Sequence, residues 1–123
     1  MSIKGKKVLL ADDEKLNQMV VKRFLANLQL EVETADNGKI AVEKAKKGVH
    51  DLFLLDINMP EMDGYEAAHA IREIFSDTPI IALTGSDYST IADQMKKNGF
   101  CDYIEKPVNV NILNEKIQLW LNK

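Results

Sequence analysis

Five short apolar runs alternate along this chain with segments whose apolar residues recur at helical spacing. The predicted strands are residues 7–11, 30–35, 51–56, 79–84 and 102–105. The third and fourth runs are apolar at successive positions, which is typical of strands covered on both faces, whereas the second alternates with period two like an edge strand. Strand–helix alternation repeated five times predicts an α/β fold, a parallel sheet with helices on both faces.

The segments between these strands predict five helices. The first covers residues 16–28, and the third begins near Ala67, after a loop bracketed by Pro60 and Gly64. In the last helix Asn109 is the expected N-cap. The residues of that helix expected to face inward are Val110, Leu113, Ile117, Trp120 and Leu121.

Length and composition exclude several classes of protein. A chain of 123 residues is one domain, here residues 1–123. Its net charge of −3 disfavours direct binding to nucleic acid, and no apolar run approaches the roughly 20 residues of a membrane span. The single cysteine, Cys101, cannot form an internal disulfide. We therefore expect a cytoplasmic domain that binds neither nucleic acid nor membrane directly.

Reactive polar residues follow four of the five predicted strands. Asp12 and Asp13 follow the first, Asp56 ends the third, Thr84 ends the fourth and Lys106 follows the fifth. Open parallel sheets bind ligands beyond the carboxyl ends of their strands. If the first and third strands are neighbours, the carboxylates converge, and a divalent cation such as Mg²⁺ would relieve their repulsion.

Acids, a hard cation, a hydroxyl and an ammonium group suit phosphoryl transfer to a carboxylate. Each residue alone is more often a helix cap or a solvated loop residue, so the prediction depends on their coincidence at one edge. His50 and His69 lie far from this edge in the predicted layout and have no partner at metal-ligand spacing. We expect both histidines to be solvated.

Five motifs resemble the receiver domains of two-component response regulators, the CheY-like family. They are residues 8–14 (VLLADDE), 36–38 (DNG), 55–64 (LDINMPEMDG), 82–85 (ALTG) and 99–107 (GFCDYIEKP). The resemblance covers nearly the whole chain. It implies a flavodoxin-like (βα)5 fold with strand order 2-1-3-4-5.

The resemblance also implies a phosphoacceptor and its metal. Asp56 would attack the phosphorus of a phosphohistidine on a partner protein. Asp13, Asp56 and the backbone carbonyl of Asn58 would ligate Mg²⁺, for which Mn²⁺ can substitute, and Asp12 would act through a metal-bound water. The chain would thus be an autocatalytic phosphoacceptor with self-phosphatase activity rather than an enzyme in the usual sense.

The remaining implied roles belong to a switch. Lys106, followed by a cis peptide bond to Pro107, would contact a carboxylate oxygen before the reaction and a phosphoryl oxygen after it. The Thr84 hydroxyl would move to the phosphoryl group, and Tyr103 would turn inward as Thr84 moves. These changes would alter the face formed by the fourth helix, fifth strand and fifth helix.

Two further positions tune the lifetime of the acyl phosphate in this family, and here they are Asn58 and Ser86. Both are small and polar, so we expect slow self-dephosphorylation that is in the middle-to-fast range for the family. Gly85 stands where this family more commonly has alanine, and we expect the glycine to loosen the loop that follows Thr84.

The implied partners are proteins. A histidine kinase or a histidine phosphotransfer protein would donate the phosphoryl group, and a downstream protein would read the switch. Leu16, Asn17 and Val20 or Val21 of the first helix lie near the predicted site and are candidates for the donor surface. Residues 13–20 (DEKLNQMV) and the turn at 107–109 (PVN) look most like those of receivers attached to hybrid sensor histidine kinases, and the alternative is a free-standing shuttle.

Three other functions are compatible with parts of the pattern. A haloacid-dehalogenase-like phosphohydrolase also uses an aspartate nucleophile, but it needs a second aspartate where this chain has Asn58. A flavodoxin-like cofactor site would be disfavoured because Asp12 and Asp13 repel a phosphate. A binding module of the same fold that is never phosphorylated has no distinguishing sequence feature.

Overall fold

The fold is seen in a computed structural model that describes residues 3–85 and 88–122. The strands are β1 (Lys7–Ala11), β2 (Glu31–Ala35), β3 (Leu52–Asp56), β4 (Ile80–Thr84) and β5 (Asp102–Glu105). The helices are α1 (Lys15–Asn27), α2 (Gly38–Ala45), α3 (Gly64–Ile74), α4 (Tyr88–Lys97) and α5 (Val110–Leu121). The strands pair in parallel in the order β2-β1-β3-β4-β5, which confirms the predicted fold class and strand order.

Two apolar cores lie on the two faces of this sheet. Residues of β3 and β4 are buried throughout, in agreement with their uninterrupted apolar sequence. One core lies beneath α2, α3 and α4 and includes Leu9, Phe53 and Ile71. The other lies beneath α1 and α5 and includes Leu10, Leu25 and Ile117. The sheet is therefore the middle layer of three.

Three helices begin at side-chain caps. Asn37 accepts a hydrogen bond from the backbone N–H of Ile40 at the start of α2, and Asn109 accepts from two backbone N–H groups at the start of α5, as predicted. Asp63 forms a reciprocal capping box with Glu66. This cap starts α3 at Gly64, three residues before the predicted beginning.

Two helices bury different residues from those that their apolar spacing suggested. In α1 the buried residues are Gln18, Val21 and Leu25. Leu16 and Met19 are 71% and 65% exposed, although they share the apolar spacing of this helix. In α5 the inward prediction is wrong for Val110, which is 48% exposed, while Leu113, Ile117 and Leu121 are buried. Apolar spacing alone does not say which stripe of a helix faces the sheet.

The prediction for His50 is wrong, because its side chain is only 2% exposed. The loop between α2 and β3 folds against the edge of the sheet, where His50 Nε2 lies 2.8 Å from Glu33 Oε1 and the ring packs on Phe53. Burial raises the pKa of Glu33, but hydrogen bonds from His50 and Lys47 outweigh this and lower it overall. His69, by contrast, is exposed as expected.

The guanidinium of Arg72 joins three segments that are distant from the sheet's carboxyl edge. Its Nη1 donates to the carbonyls of Phe75, Ser76 and Thr78, at 3.1, 2.9 and 2.8 Å. Its Nε and Nη2 donate to the carbonyl of Gly99, at 3.2 and 2.7 Å. One side chain therefore ties the end of α3 and the following loop to the turn that precedes β5.

No helix within residues 3–85 and 88–122 has the length and apolarity needed to cross a membrane.

Candidate functional site

Three carboxylates converge at the carboxyl edge of the sheet. One oxygen from each of Asp12, Asp13 and Asp56 lies within 4.8 Å of the others. Asp12 and Asp56 are almost fully buried, whereas Asp13 is exposed. They meet because β1 and β3 are adjacent parallel strands, with Ala11 opposite Leu55. The structure thus brings together the three acids that the sequence placed at strand ends.

Lys106 is the cation that faces this cluster. Its Nζ lies 3.0 Å from Asp56 Oδ2 and 3.4 Å from Asp12 Oδ2. Burial lowers the pKa of Lys106, but the hydrogen bond to Asp56 and the two negative charges outweigh this and raise it overall. Its backbone N–H donates to the carbonyl of Thr84 at 2.7 Å, and the bond to Pro107 is cis. The ammonium therefore stays charged beside Asp56.

The Asp56 carboxyl is held in an environment that disfavours its charge. Burial raises its pKa, the nearby Asp12 adds to this, and Lys106 opposes it. Oδ1 accepts a hydrogen bond from the backbone N–H of Asn58 at 3.1 Å. Oδ2 is the oxygen that faces Lys106. The two oxygens thus differ in their partners.

The donor set fits a hard divalent cation. Asp12 Oδ2 is buried and accepts no hydrogen bond from any described residue. Its ion-pair partner in the described part of the chain is Lys106, whose Nζ lies 3.4 Å away. A buried carboxylate oxygen without a hydrogen bond is costly. Three carboxylates also exceed the charge that one lysine can balance. Oxygen ligands of this kind are those that Mg²⁺ prefers.

Gly64 permits the close approach of α3 to the end of β3. A Cβ at this position would lie 2.4 Å from the Asp56 carbonyl oxygen and 2.7 Å from the Cα of Ile57, both backbone atoms that cannot move away cheaply. The Gly64 N–H donates to the carbonyl of Ile57 at 2.8 Å. The glycine of the LDINMPEMDG motif therefore supports the position of Asp56.

Thr84 and Tyr103 lie on adjacent strands and share one face of the sheet. Tyr103 is opposite Ala82, two residues before the buried Thr84. The Tyr103 ring is partly buried, and Lys116 Nζ lies 4.7 Å from its centroid. The two residues are thus diagonal neighbours. Ser86, the second predicted lifetime position, lies outside the described residues.

Gln18 is a buried residue near the acids that sequence reasoning missed. It is 5% exposed, and its Nε2 donates to the Asp12 carbonyl at 2.5 Å and to Asp36 Oδ1 at 2.9 Å. A sequence signal was available. Gln18 lies three residues before Val21 and seven before Leu25, so it is a polar residue within the buried stripe of α1.

A groove of about 520 Å³ extends from the acidic cluster along α1. Asp12 and Lys106 line it together with the exposed apolar side chains of Leu16 and Val20. Asn17 also lines it. Val21 is 2% exposed, so of the two valines considered from the sequence only Val20 offers an exposed surface.

Comparisons with known proteins identify relatives over most of the chain. Residues 8–118 match the family described as response regulator receiver domain. Autoinducer 1 sensor kinase/phosphatase LuxN of Vibrio campbellii is 36% identical over 116 residues, which are 94% of this chain but 14% of LuxN. The chain therefore spans a small part of this curated relative.

Solved structures of receiver domains share this fold. The receiver domain of sensor histidine kinase PA1611 from Pseudomonas aeruginosa, solved with a magnesium ion in its active site cleft, has a TM-score of 0.90 and 31% identity. The match covers 97% of this chain and 99% of that one. A chain of the Saccharomyces cerevisiae co-crystal of the phosphotransfer protein Ypd1 with the Ssk1 receiver domain has a TM-score of 0.89 and 30% identity. That match covers 95% of this chain and 89% of the other.

Proposed function

Because the chain belongs to the response regulator receiver domain family of two-component signalling, we propose that Asp56 accepts a phosphoryl group from a phosphohistidine of a partner protein. One observation carries this proposal. The Asp56 carboxylate is buried, lies within a cluster of three acids and pairs with Lys106. A carboxylate of this kind can serve as a nucleophile toward phosphorus.

In the proposed step a carboxylate oxygen of Asp56 forms a bond to phosphorus while the bond from phosphorus to the imidazole nitrogen breaks. The electron pair leaves with that nitrogen, which takes up a proton when the imidazole is released. Lys106 balances charge on the carboxylate before the step and on a phosphoryl oxygen after it. Thr84 is buried at the end of the neighbouring strand β4. Its hydroxyl donates a hydrogen bond to another phosphoryl oxygen.

Asp13, Asp56 and the carbonyl of Asn58 would hold Mg²⁺ directly, and Asp12 would hold it through a water. When bound, this ion supplies positive charge that offsets the negative charge of the phosphoryl oxygens. The buried Asp12 Oδ2 without a hydrogen bond supports the assignment. The magnesium ion named for the PA1611 receiver supports it as well.

Phosphorylation would shift the chain between two packings of the face formed by α4, β5 and α5. A phosphoryl group adds roughly −1.5 to −2 charges and strong acceptor oxygens. Movement of Thr84 toward it would vacate space beside its diagonal neighbour Tyr103, and a downstream protein would bind the altered face. Asn58 is small and exposed beside the site, so it would leave the phosphoryl group open to water, which supports self-dephosphorylation.

The reaction itself tests the proposal. Incubation with acetyl phosphate and Mg²⁺ is expected to add one phosphoryl group per chain, measured by intact-mass spectrometry. Removal of Mg²⁺ with a chelator is expected to slow this by roughly 100-fold or more, because the charge of the phosphoryl oxygens is then offset by Lys106 alone. Continuous turnover of the donor without a phosphorylated chain would indicate a phosphohydrolase. No modification with any donor would indicate a binding module.

We also propose that the groove along α1 receives the donor protein. Leu16 and Val20 are apolar and exposed, and they line the same groove as Asp12 and Lys106. A donor must bring its phosphohistidine to Asp56 and would cover this surface as it does so. The Ypd1–Ssk1 complex provides a precedent for such a donor.

Replacement of Leu16 and Val20 by alanine together is expected to slow transfer from a phosphohistidine protein about 30-fold, since truncating two residues at the centre of an interface costs about 1 kcal/mol each. Phosphorylation by acetyl phosphate should not change. Leu119→Ala is the control, because Leu119 is 51% exposed on α5. Equal slowing with both donors would mean that the site itself was disturbed and would contradict a docking role.

A further inference from the structure

Gln18 has no part in the proposed reaction, yet it is buried beside the site. Four polar or charged residues among the described part of the chain are buried: Asp12, Gln18, Asp56 and Thr84. The other three have proposed roles in phosphoryl transfer. A buried amide is costly unless its hydrogen bonds are made. The hydrogen-bond partners of Gln18 therefore indicate what its buried side chain contributes to the site.

The Gln18 amide links two loops at the carboxyl edge of the sheet. Its two N–H groups are used by two acceptors, the Asp12 carbonyl and Asp36 Oδ1. Asp36 lies between β2 and α2 and also accepts from Lys15 Nζ at 2.6 Å. The carboxylate of Asp36 thus fixes which way the amide points. Gln18 in turn holds the carbonyl of the loop that follows β1.

The carbonyl that Gln18 holds belongs to the peptide unit between Asp12 and Asp13. Other bonds also restrain this loop: Asp12 N–H donates to the Ala35 carbonyl, Glu14 N–H donates to Asp12 Oδ1, and the Glu14 carbonyl and side chain accept from Gln18 N–H and Asn17 Nδ2. None of these bonds is made to the Asp12 carbonyl. Rotation of this peptide unit would move Asp13, whose exposed side chain is not confined by packing.

We propose that Gln18 is a positioning residue that fixes the Asp12–Asp13 peptide and thereby holds the Asp13 carboxylate within reach of Asp12 and Asp56. This inference deepens the proposed function and depends on it, since Asp13 is a proposed Mg²⁺ ligand. Gln18 touches neither the metal nor the phosphoryl group. Its contribution is the geometry of the acidic cluster.

Gln18→Met keeps the length of the side chain and removes both N–H donors. We expect its affinity for Mg²⁺ to fall about 10-fold, which is the lower end of the loss when a residue supporting a metal ligand is replaced. The probe is Mg²⁺ alone, titrated without a phosphodonor and followed by the backbone NMR signals of Asp13 and Glu14. At saturating Mg²⁺ the rate of phosphorylation by acetyl phosphate should recover most of its wild-type value.

Gln18→Asn keeps a neutral amide that is too short to reach both acceptors, and it tests the inference if the methionine variant does not fold. We expect weaker Mg²⁺ binding here too. Ala26→Met is the control, because it adds the same side chain to an exposed position of the same helix. Thermal unfolding without Mg²⁺ measures any purely structural loss, which would lower stability and leave the affinity of the folded protein unchanged.

An unchanged Mg²⁺ affinity in either folded Gln18 variant would overturn the inference. If the wild-type chain binds no Mg²⁺, both the inference and the proposed metal site are wrong. If the wild-type chain binds Mg²⁺ but takes up no phosphoryl group, the proposed function fails. The affinities of the Gln18 variants then still decide whether the residue positions the acids.

Discussion

Asp56→Asn is expected to abolish phosphorylation of the chain by acetyl phosphate and by any phosphohistidine protein. An amide oxygen is not a nucleophile toward phosphorus under these conditions, and no other described carboxylate pairs with Lys106 as closely as Asp56 does. Asn matches Asp in size and can still accept the hydrogen bond from Asn58 N–H. The variant should therefore fold and bind partners while remaining unmodified. Intact-mass spectrometry after incubation with donor and Mg²⁺ measures the loss.

Asp77→Asn is the matched control, because Asp77 is an exposed aspartate in the loop before β4. It should be phosphorylated at the wild-type rate. Circular dichroism and thermal unfolding of both variants show whether the fold is kept. Uptake of a phosphoryl group by the Asp56→Asn chain would identify a different acceptor, which proteolytic mapping would then locate.

Arg72→Met is expected to lower the free energy of unfolding by about 3 kcal/mol, because it removes a charged donor from carbonyls that then lack a protein partner. Five hydrogen bonds from this guanidinium bind the end of α3, the following loop and the turn at Gly99. Methionine retains most of the apolar stem, so the loss reports mainly on these bonds. Urea unfolding followed by circular dichroism measures the change.

Two variants distinguish the hydrogen bonds of the Arg72 guanidinium from a general effect of its positive charge on stability. Arg72→Lys keeps the charge but lacks the planar group that reaches several carbonyls at once, so it should recover only part of the loss. Arg23→Met removes a positive charge from an exposed position of α1 and should change stability by less than about 0.5 kcal/mol. If Arg72→Met lowers the free energy of unfolding by no more than Arg23→Met does, the hydrogen bonds of Arg72 do not contribute to stability.

Most of the fold was predictable because burial on both faces leaves a clear pattern. The uninterrupted apolar runs of β3 and β4 identified the central strands, and the alternating β2 is indeed at an edge. The start of α3 was less predictable. It depends on the capping box of Asp63 and Glu66, a side-chain arrangement at a loop that the apolar pattern does not report.

The candidate site was also predictable in composition. Asp12, Asp13, Asp56 and Lys106 were chosen because they follow strands, and parallel strands place such residues at one edge. Their roles in phosphoryl transfer remain predictions. Gln18 was missed because its spacing from Val21 and Leu25 marks it as buried only once the buried stripe of α1 is known, and its hydrogen bonds to a backbone carbonyl and to the distant Asp36 leave no motif.

By itself the sequence determined the order of strands and helices, the edge at which the reactive residues gather and the family that the chain resembles. Only the tertiary structure decided which stripe of α1 and α5 is buried, that His50 is enclosed beside Glu33, and that Arg72 and Gln18 each join separate segments. The physical reason is that periodicity is a local property of the chain. Burial and hydrogen bonding depend on which distant segment lies opposite, and that is fixed only when the sheet and its helices have packed.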